Sequence, residues 1–365
     1  MSMCSTEDLL NKCSTGYIPN NDEALLLYRD SPLALLMHAA QSIRNRMHPN
    51  NLVSWIIDRN INLTNVCRVH CRFCNFCVTS NSPNAYLLSY DEYYEKIDAL
   101  FKAGGSQILL QGGIHPELSL DYFCELFRHL KMRYPELKLH ALGPPEVIDL
   151  ANKSQLSIAD TLEILTDAGL DSLPGAGAEI LSNRVRNILS PSKCTVDQWL
   201  DVMRHAHRLS IVTSATMMFG HIETDTERIE HLMKLYRLQN EKPSNSQGFI
   251  SFIPWPFAMS NTRLIKTHPN ISPVSASGYL RLLAISRIIL QNIPHIQASW
   301  LTVGTQTASL SLFAGADDLG SVMMEEKVVA AAGVTHTLSS AQMIELIETN
   351  GFTAVKRDQN FNLLT

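Results

Sequence analysis

The chain has neither a long hydrophobic run nor a large excess of charge of one sign. Its 365 residues carry 30 Lys and Arg against 35 Asp and Glu, a formal net charge of −5 at pH 7. The basic residues form no stripe, which argues against nucleic acid as the main partner. No apolar stretch is long enough to cross a bilayer, and residues 1–16 have neither the basic nor the apolar region of a signal peptide. We therefore expect a cytoplasmic protein.

Several catalytic motifs and linker types are also missing. There is no Walker A sequence, no HExxH, no GxSxG and no GxGxxG after a predicted strand, so nucleotide hydrolysis, zinc proteolysis and serine hydrolysis lack support. No Pro/Ser-rich linker or low-complexity tract divides the chain. With 45% apolar and 18% charged residues, the composition is typical of a globular protein of one large domain or two ordinary ones.

Cysteine is concentrated in one place. Of the eight cysteines, four fall between residues 67 and 77, and Cys67, Cys71 and Cys74 have the spacing C-x3-C-x2-C after an apolar run at 53–63. A [4Fe–4S] cluster normally takes four thiolates, so three in one loop would leave one iron open for another ligand. Structural zinc usually needs four ligands, and His70 is poorly placed to be the fourth. The spacing therefore favours an iron–sulfur site.

Cys77 leaves an alternative open. It extends the run to C-x3-C-x2-C-x2-C, so it could bind the fourth iron and make a non-catalytic electron carrier. The spacing differs from that of a ferredoxin, which favours the interpretation that Cys77 is not a ligand. A zinc-stabilised binding protein is a third hypothesis.

Strands and helices alternate along most of the chain. We predict eight strands, at 55–64, 107–112, 137–142, 170–174, 211–218, 248–254, 297–302 and 308–313. This order predicts an α/β fold, a (β/α)8 barrel of the TIM type, with a doubly wound open sheet as the alternative. We expect a helical extension at 1–50, the barrel at 51–315 and a mixed C-terminal tail at 316–365 packed on the barrel. In a barrel the cysteine loop would face the cavity at the C-terminal ends of the strands.

Other candidate site residues follow predicted strands. Gly112 and Gly113 would let a ligand approach the backbone, although a simple turn is an alternative. Glu179, in a Gly-rich loop, could contact ribose hydroxyls or could be a solvated loop residue. His221 and Glu223 could form a proton-transfer pair, or could mark only the start of a helix.

The cysteine spacing, with Gly-Gly after the second strand, resembles the radical S-adenosylmethionine (SAM) superfamily. The resemblance implies that Cys67, Cys71 and Cys74 hold a [4Fe–4S] cluster whose open iron binds SAM, and that one electron cleaves SAM to a 5′-deoxyadenosyl radical. It also implies that Phe73 lies near the adenine and that Gly112-Gly113 receives the amino group. An electron donor such as flavodoxin or ferredoxin is expected.

A narrower resemblance covers residues from about 50 to the end. Segments such as NINLTNVCRVHCRFC, LDSLPGAGAEIL and GADDLGSVMMEE are similar to those of the cyclic dehypoxanthine futalosine synthases of menaquinone biosynthesis. That family implies hydrogen abstraction from the ribose C4′ of dehypoxanthine futalosine, followed by attack of the ribosyl radical on the substrate's aromatic ring. Aminofutalosine synthase and F0 synthase are alternatives in the same superfamily. One departure is Asn75-Phe76-Cys77-Val78, where the family has an Ala-Phe-Tyr-Arg-like stretch.

Overall fold

Three helices precede the sheets of the protein. The computed structural model describes residues 5–325, 327, 330–333 and 336–364. The first elements are α1 (Thr6–Ser14), α2 (Asn21–Asp30), α3 (Leu33–Met47) and strand β1 (Leu52–Ile56). A capping box between Asn20 and Glu23 starts α2, and its side chains accept hydrogen bonds from free amides of the first turn. Pro32 precedes α3, and proline is common at a helix start because it has no N–H group that needs a partner there.

The centre of the molecule is a curled parallel sheet, seven-stranded in the described part of the chain. Its strands are β2 (Asp58–Asn62), β3 (Gln107–Gln111), β4 (Lys138–Ala141), β5 (Ser172–Leu173), β6 (Val212–Phe219), β7 (Phe249–Pro256) and β8 (His295–Ile296). Each strand pairs with the next one along the chain. This order confirms a parallel barrel-type fold and excludes the doubly wound sheet, whose strand order reverses in the middle.

Helices alternate with these strands and cover the outside of the sheet. They are α4 (Tyr90–Lys102), α5 (Leu120–Arg133), α6 (Pro144–Ser154), α7 (Ile158–Asp167), α8 (Asn183–Leu189), α9 (Val196–Arg208), α10 (Asp225–Glu241), α11 (Arg263–Thr267), α12 (Ala276–Ile289) and α13 (Trp300–Ser311). A capping box of Ser89 with Glu92 starts α4.

The last predicted strands are wrong. Residues 297–302 and 308–313 fall largely in α13, and β8 lies just before them. A short run of β-branched and small residues does not distinguish a strand from a buried helix by periodicity. Gly304, with φ of 77°, interrupts α13 and further weakened the helical pattern. The predicted strand 55–64 also covers two strands, β1 and β2, which belong to different sheets.

A second sheet joins the two ends of the chain. It contains β1 with β9 (Asp318–Ser321), β10 (Thr353–Arg357) and β11 (Leu363–Leu364), in the order β11-β10-β1-β9. Helix α14 (Ser340–Thr349) and a 3-10 turn (Ala330–Ala332) lie between these strands in sequence. β1 pairs in parallel with both β9 and β10. The domain boundaries at 50 and 315 remain a prediction.

Side chains alternate along the barrel strands. Ile61, Ile108 and Leu110 are fully buried against the helices, whereas Asn60 and Gln111, on the opposite parity, line the interior cavity. These two strands therefore carry side-chain amides on their inner face, within a cavity wall that also contains apolar side chains such as Leu109, and apolar side chains on their outer face. No helix among the described residues is both long and apolar enough to span a membrane.

Candidate active site

A cavity of about 450 Å³ opens at the C-terminal ends of the barrel strands. Seven of the residues predicted from the sequence lie on its wall: Cys67, Cys71, Phe73, Cys74, Gly112, Gly113 and Glu179. Active sites of parallel barrels lie at this end because the strand-to-helix loops meet there. The structure therefore brings the cysteine loop, the glycine pair and the Gly-rich loop together.

Backbone hydrogen bonds hold the cysteine loop in place from several sides. Three loop amides donate to carbonyls of other segments: Cys67 N to Val78 O at 3.1 Å, Arg68 N to Ile114 O at 3.0 Å and Arg72 N to Leu189 O at 2.8 Å. Arg263 adds a hydrogen bond to the carbonyl of His70 at 2.6 Å. His70 itself has φ of 52°, a left-handed conformation that turns the chain between the first two cysteines.

The sulfur atoms of this loop sit in different environments. Val69 and Ile114 pack against the cysteines and form an apolar patch. Burial raises the pKa of Cys71 to about 12. The Cys77 thiol donates a hydrogen bond to the Cys74 sulfur, which lowers the pKa of Cys74 and raises that of Cys77. Cys77 also lines the cavity, with its sulfur 3.9 Å from Nδ1 of His70.

Gly113 is required by close backbone packing. A Cβ atom there would lie 2.1 Å from the carbonyl oxygen of Val66 and 2.8 Å from Cβ of Cys67. Gly112 has more room, since its Cβ would lie 3.0 Å from the Thr64 carbonyl. The glycine pair thus lets the end of β3 pack directly against the cysteine loop. Both glycines also line the cavity with their backbone atoms.

Glu179 is a buried residue and not a solvated loop residue. Its backbone is left-handed, with φ of 42°, and its Oε1 accepts a hydrogen bond from Nζ of Lys193 at 2.8 Å. Arg186 lies 3.7 Å from Oε2 and donates to the carbonyl of Gly177 at 2.8 Å, so it also fixes the loop. Lys193 lies 5.7 Å from the centre of the Phe73 ring. Sequence reasoning missed Lys193 and Arg186, because nothing in their local pattern marks them.

His221 and Glu223 do not line this cavity. The carboxylate of Glu223 accepts hydrogen bonds from the amides of Gly220 at 2.6 Å and His221 at 2.9 Å, and it pairs with Arg228. Burial opposes this charge, but the His221 hydrogen bond and the Arg228 charge outweigh it and lower the pKa of Glu223 to about 2. His221 Nε2 contacts the Met218 carbonyl at 3.0 Å. Both groups are thus used to shape the start of α10, and their placement does not support a catalytic role.

Glu146, at the start of α6, is a second acidic group on the cavity wall that the sequence pattern did not single out. Its Oε2 atom is buried without a hydrogen-bond partner in the described structure. Burial raises the pKa of this carboxyl to about 7. The remaining wall is rich in neutral side-chain amides, contributed by Asn60, Asn62, Gln107, Gln111, Gln297 and Gln359.

Two family models match the chain. The radical SAM superfamily matches residues 61–235, and the CofH/MqnC C-terminal region matches residues 246–365. The structure is also similar to the crystal structure of methylornithine synthase (PylB), with a TM-score of 0.70, 18% identity and coverage of 95% of this chain and 97% of that one. At that identity the likeness concerns the fold alone.

Curated relatives extend over nearly the whole chain. The chain is 37% identical to cyclic dehypoxanthine futalosine synthase of Streptomyces coelicolor, over 98% of this chain and 88% of that protein. It is 35% identical to the synthase of the same name from Halalkalibacterium halodurans, over 99% and 95%. It is also 35% identical to 5-amino-6-(D-ribitylamino)uracil–L-tyrosine 4-hydroxyphenyl transferase of Methanopyrus kandleri, over 97% and 95%. The chain therefore belongs to the radical SAM superfamily of enzymes, in the group that contains the cyclic dehypoxanthine futalosine synthases.

Proposed function

We propose that the protein is a radical SAM cyclase that converts dehypoxanthine futalosine to its cyclic product in menaquinone biosynthesis. The observation that carries the proposal is the nearly full-length similarity to two curated synthases of this name, at 37% and 35% identity. The cysteine loop and the cavity below it support the same activity. An electron donor of the flavodoxin or ferredoxin class would supply the reducing electron.

The donor set on the cavity wall fits a [4Fe–4S] cluster. Cys67, Cys71 and Cys74 line one cavity, with an apolar patch behind them that limits access of water. When bound, the cluster with SAM supplies a primary carbon radical that removes one hydrogen atom from the substrate. Phe73, Gly112-Gly113 and Glu179 share this wall, and we assign them to binding SAM.

The chain's own residues bind, orient and seclude the substrate. Lys193 holds Glu179 through a 2.8 Å hydrogen bond, so this carboxylate is fixed for contact with the ribose hydroxyls of SAM, beside which the substrate is oriented. The neutral amides deeper in the barrel offer both donors and acceptors, which suits a nucleoside without requiring a buried charge. Placing the reaction inside the barrel cavity limits contact of a radical with water and other quenchers.

The aminouracil–tyrosine transferase reaction is a second candidate function. The 35% identity over 97% of this chain to the Methanopyrus kandleri enzyme favours it specifically. That reaction joins two substrates, whereas the proposed cyclisation acts on one. Substrate consumption therefore separates the two candidates.

The test is an anaerobic assay of the protein reconstituted with iron and sulfide. It is incubated with SAM, a reductant and either dehypoxanthine futalosine or the aminouracil with L-tyrosine. We expect 5′-deoxyadenosine and a product two hydrogens lighter than dehypoxanthine futalosine, with the other substrate pair unchanged. The variant Cys71→Ala should be inactive, whereas Cys124→Ala, a buried cysteine of α5 away from the cavity wall, should remain active. Consumption of the aminouracil pair alone would overturn the proposal.

A further inference from the structure

Glu146 is an acidic residue of the cavity wall that forms no ion pair in the described structure. The side chain forms part of the same wall as Cys67, Cys71 and Cys74. Its Oε2 atom is shielded from solvent and has no hydrogen-bond partner among the described residues. A buried polar atom without a partner costs free energy, so such a group in a cavity usually contacts a ligand.

The local sequence explains why this carboxyl has so few donors. Glu146 is the third residue of α6, after Pro144 and Pro145. A helix start normally offers several free amides to an acidic side chain, but proline has no N–H group. Gly143 precedes them, and a Cβ there would lie 3.1 Å from Oε2 of Glu146. The segment thus makes room for the carboxyl and leaves it few backbone donors, among them the amide of Glu146 itself.

The charged groups around Glu146 do not neutralise it. The charge of Lys193 favours the ionised form of Glu146, but its ammonium group is already bonded to Glu179 at 2.8 Å. Asp149 and Glu179 act as like charges and oppose ionisation, which adds to the effect of burial. Asp149 in turn is paired with Arg68 and Lys153. The carboxyl therefore exchanges its proton near neutral pH, as suits acid–base chemistry.

We infer that Glu146 is a catalytic residue that accepts the proton released when the product ring closes, an inference that depends on the proposed cyclase function. After the new C–C bond forms, the ring carbon that received it still carries its hydrogen. When that C–H bond breaks, a carboxylate oxygen of Glu146 takes the proton and the bonding electron pair restores the aromatic ring. The one surplus electron leaves to a one-electron acceptor of the iron–sulfur class.

The alternative acidic groups are less suited to this role. Glu179 is on the cavity wall, but its Oε1 is bonded to Lys193 and Arg186 lies 3.7 Å from its Oε2, so this carboxylate is already engaged with two cations. Glu223 is bonded to two backbone amides and Arg228, and it lies off the cavity wall. Among these three groups, Glu146 alone combines a place on the wall with a carboxyl that forms no ion pair in the described structure.

The test compares Glu146→Gln, Glu146→Asp and the exposed control Glu163→Gln under anaerobic turnover with C4′-deuterated substrate. The glutamine has the same shape but cannot take a proton. We expect Glu146→Gln to form deuterated 5′-deoxyadenosine, because hydrogen abstraction precedes the proton transfer. Its cyclic product should fall at least 100-fold, a typical loss for a missing general base, so the ratio of 5′-deoxyadenosine to product rises.

The conservative variant and the pH profile separate catalysis from structure. Glu146→Asp should restore part of the product and shift the pH profile, and product formation by the parent protein should rise as the pH passes through about 7. Full product formation by Glu146→Gln, with the parent pH profile, would overturn the inference while leaving the cyclase function intact. Loss of deuterated 5′-deoxyadenosine in Glu146→Gln would also overturn it, because the residue would then act before the proton transfer. Failure of the parent protein to act on this substrate would instead refute the proposed function.

Discussion

The sulfur of Cys77 shares a cavity with the three cysteines that we propose as cluster ligands, so its substitution separates an enzyme from an electron carrier. We predict that Cys77→Ala keeps about four irons per chain, as a three-cysteine site requires. The matched variant Cys74→Ala should lose most of its iron. Iron analysis and electron paramagnetic resonance after anaerobic reconstitution provide the measurement. Loss of the cluster in Cys77→Ala would favour the carrier.

Gly113 tests the packing of β3 under the cysteine loop. In Gly113→Ala the new Cβ would collide with the Val66 carbonyl, 2.1 Å away, and backbone cannot move aside cheaply. We expect the free energy of unfolding to fall by roughly 1–3 kcal/mol, as for other overpacked sites. In Gly278→Ala of α12 the new Cβ would lie 3.3 Å from the Ser275 hydroxyl, a side-chain atom that needs to shift by only a few tenths of an ångström, so we expect a nearly neutral change. Urea unfolding of the cluster-free protein measures both. Equal stability of the two variants would contradict the packing argument.

For single residues, the sequence was informative where a site is formed by residues closely spaced in one segment. The three cysteines fall within eight residues, so their convergence in one cavity was predictable. Lys193 and Glu146 are distant from them in sequence and reach the wall only through the barrel. His221 and Glu223 have the correct types for proton transfer, but the turn after β6 uses them for hydrogen bonds to the backbone.

At the scale of elements, α3 is connected to the second sheet by a buried arginine. Arg44 donates to the carbonyl of Leu52 at 2.8 Å and to that of Ala316 at 3.2 Å. Arg44→Ala would leave buried carbonyls without donors and open a cavity, so we expect the free energy of unfolding to fall by about 3 kcal/mol. Arg128→Ala, an exposed residue of α5, should change it by less than ~0.5 kcal/mol. Similar values for the two variants would show that this connection contributes little.

The elements also mark where sequence patterns were insufficient. Most barrel strands were predicted near their positions because apolar runs alternate with capped helices. The last strand was placed too late, since β8 has only two residues and the residues after it form α13. The break between β1 and β2 was missed, because a continuous stretch rich in β-branched residues gives no sign that its two halves join different sheets.

Across the whole molecule, buried neutral histidines should make the fold sensitive to acid. Burial lowers the pKa of His140 and His207 to about 4 and that of His231 to about 3. In the unfolded chain each of these histidines has the ordinary pKa of about 6.5, so below that pH the unfolded chain binds more protons than the folded chain. The contribution of these histidines to stability is therefore full above about pH 6.5 and is lost as the pH drops toward 4. Each such histidine contributes about 1.4 kcal/mol per pH unit in this range.

Unfolding of the cluster-free protein between pH 7.5 and 5 measures this effect. We expect His207→Asn to show a shallower decline of the free energy of unfolding than the parent protein, even if its stability at pH 7.5 is lower. His38→Asn, an exposed residue of α3, should leave the slope unchanged. Parallel curves for His207→Asn and the parent would contradict the assignment.

We propose that this barrel removes the C4′ hydrogen of dehypoxanthine futalosine at a site bounded by Cys67, Cys71 and Cys74. The most direct measurement is the mass of 5′-deoxyadenosine after anaerobic turnover with substrate deuterated at C4′. We predict that 5′-deoxyadenosine gains one deuterium. The cyclic product should be two hydrogens lighter than the unlabelled substrate and should retain no deuterium at C4′. Unlabelled 5′-deoxyadenosine, with the substrate unconsumed, would contradict hydrogen abstraction from C4′ by this protein.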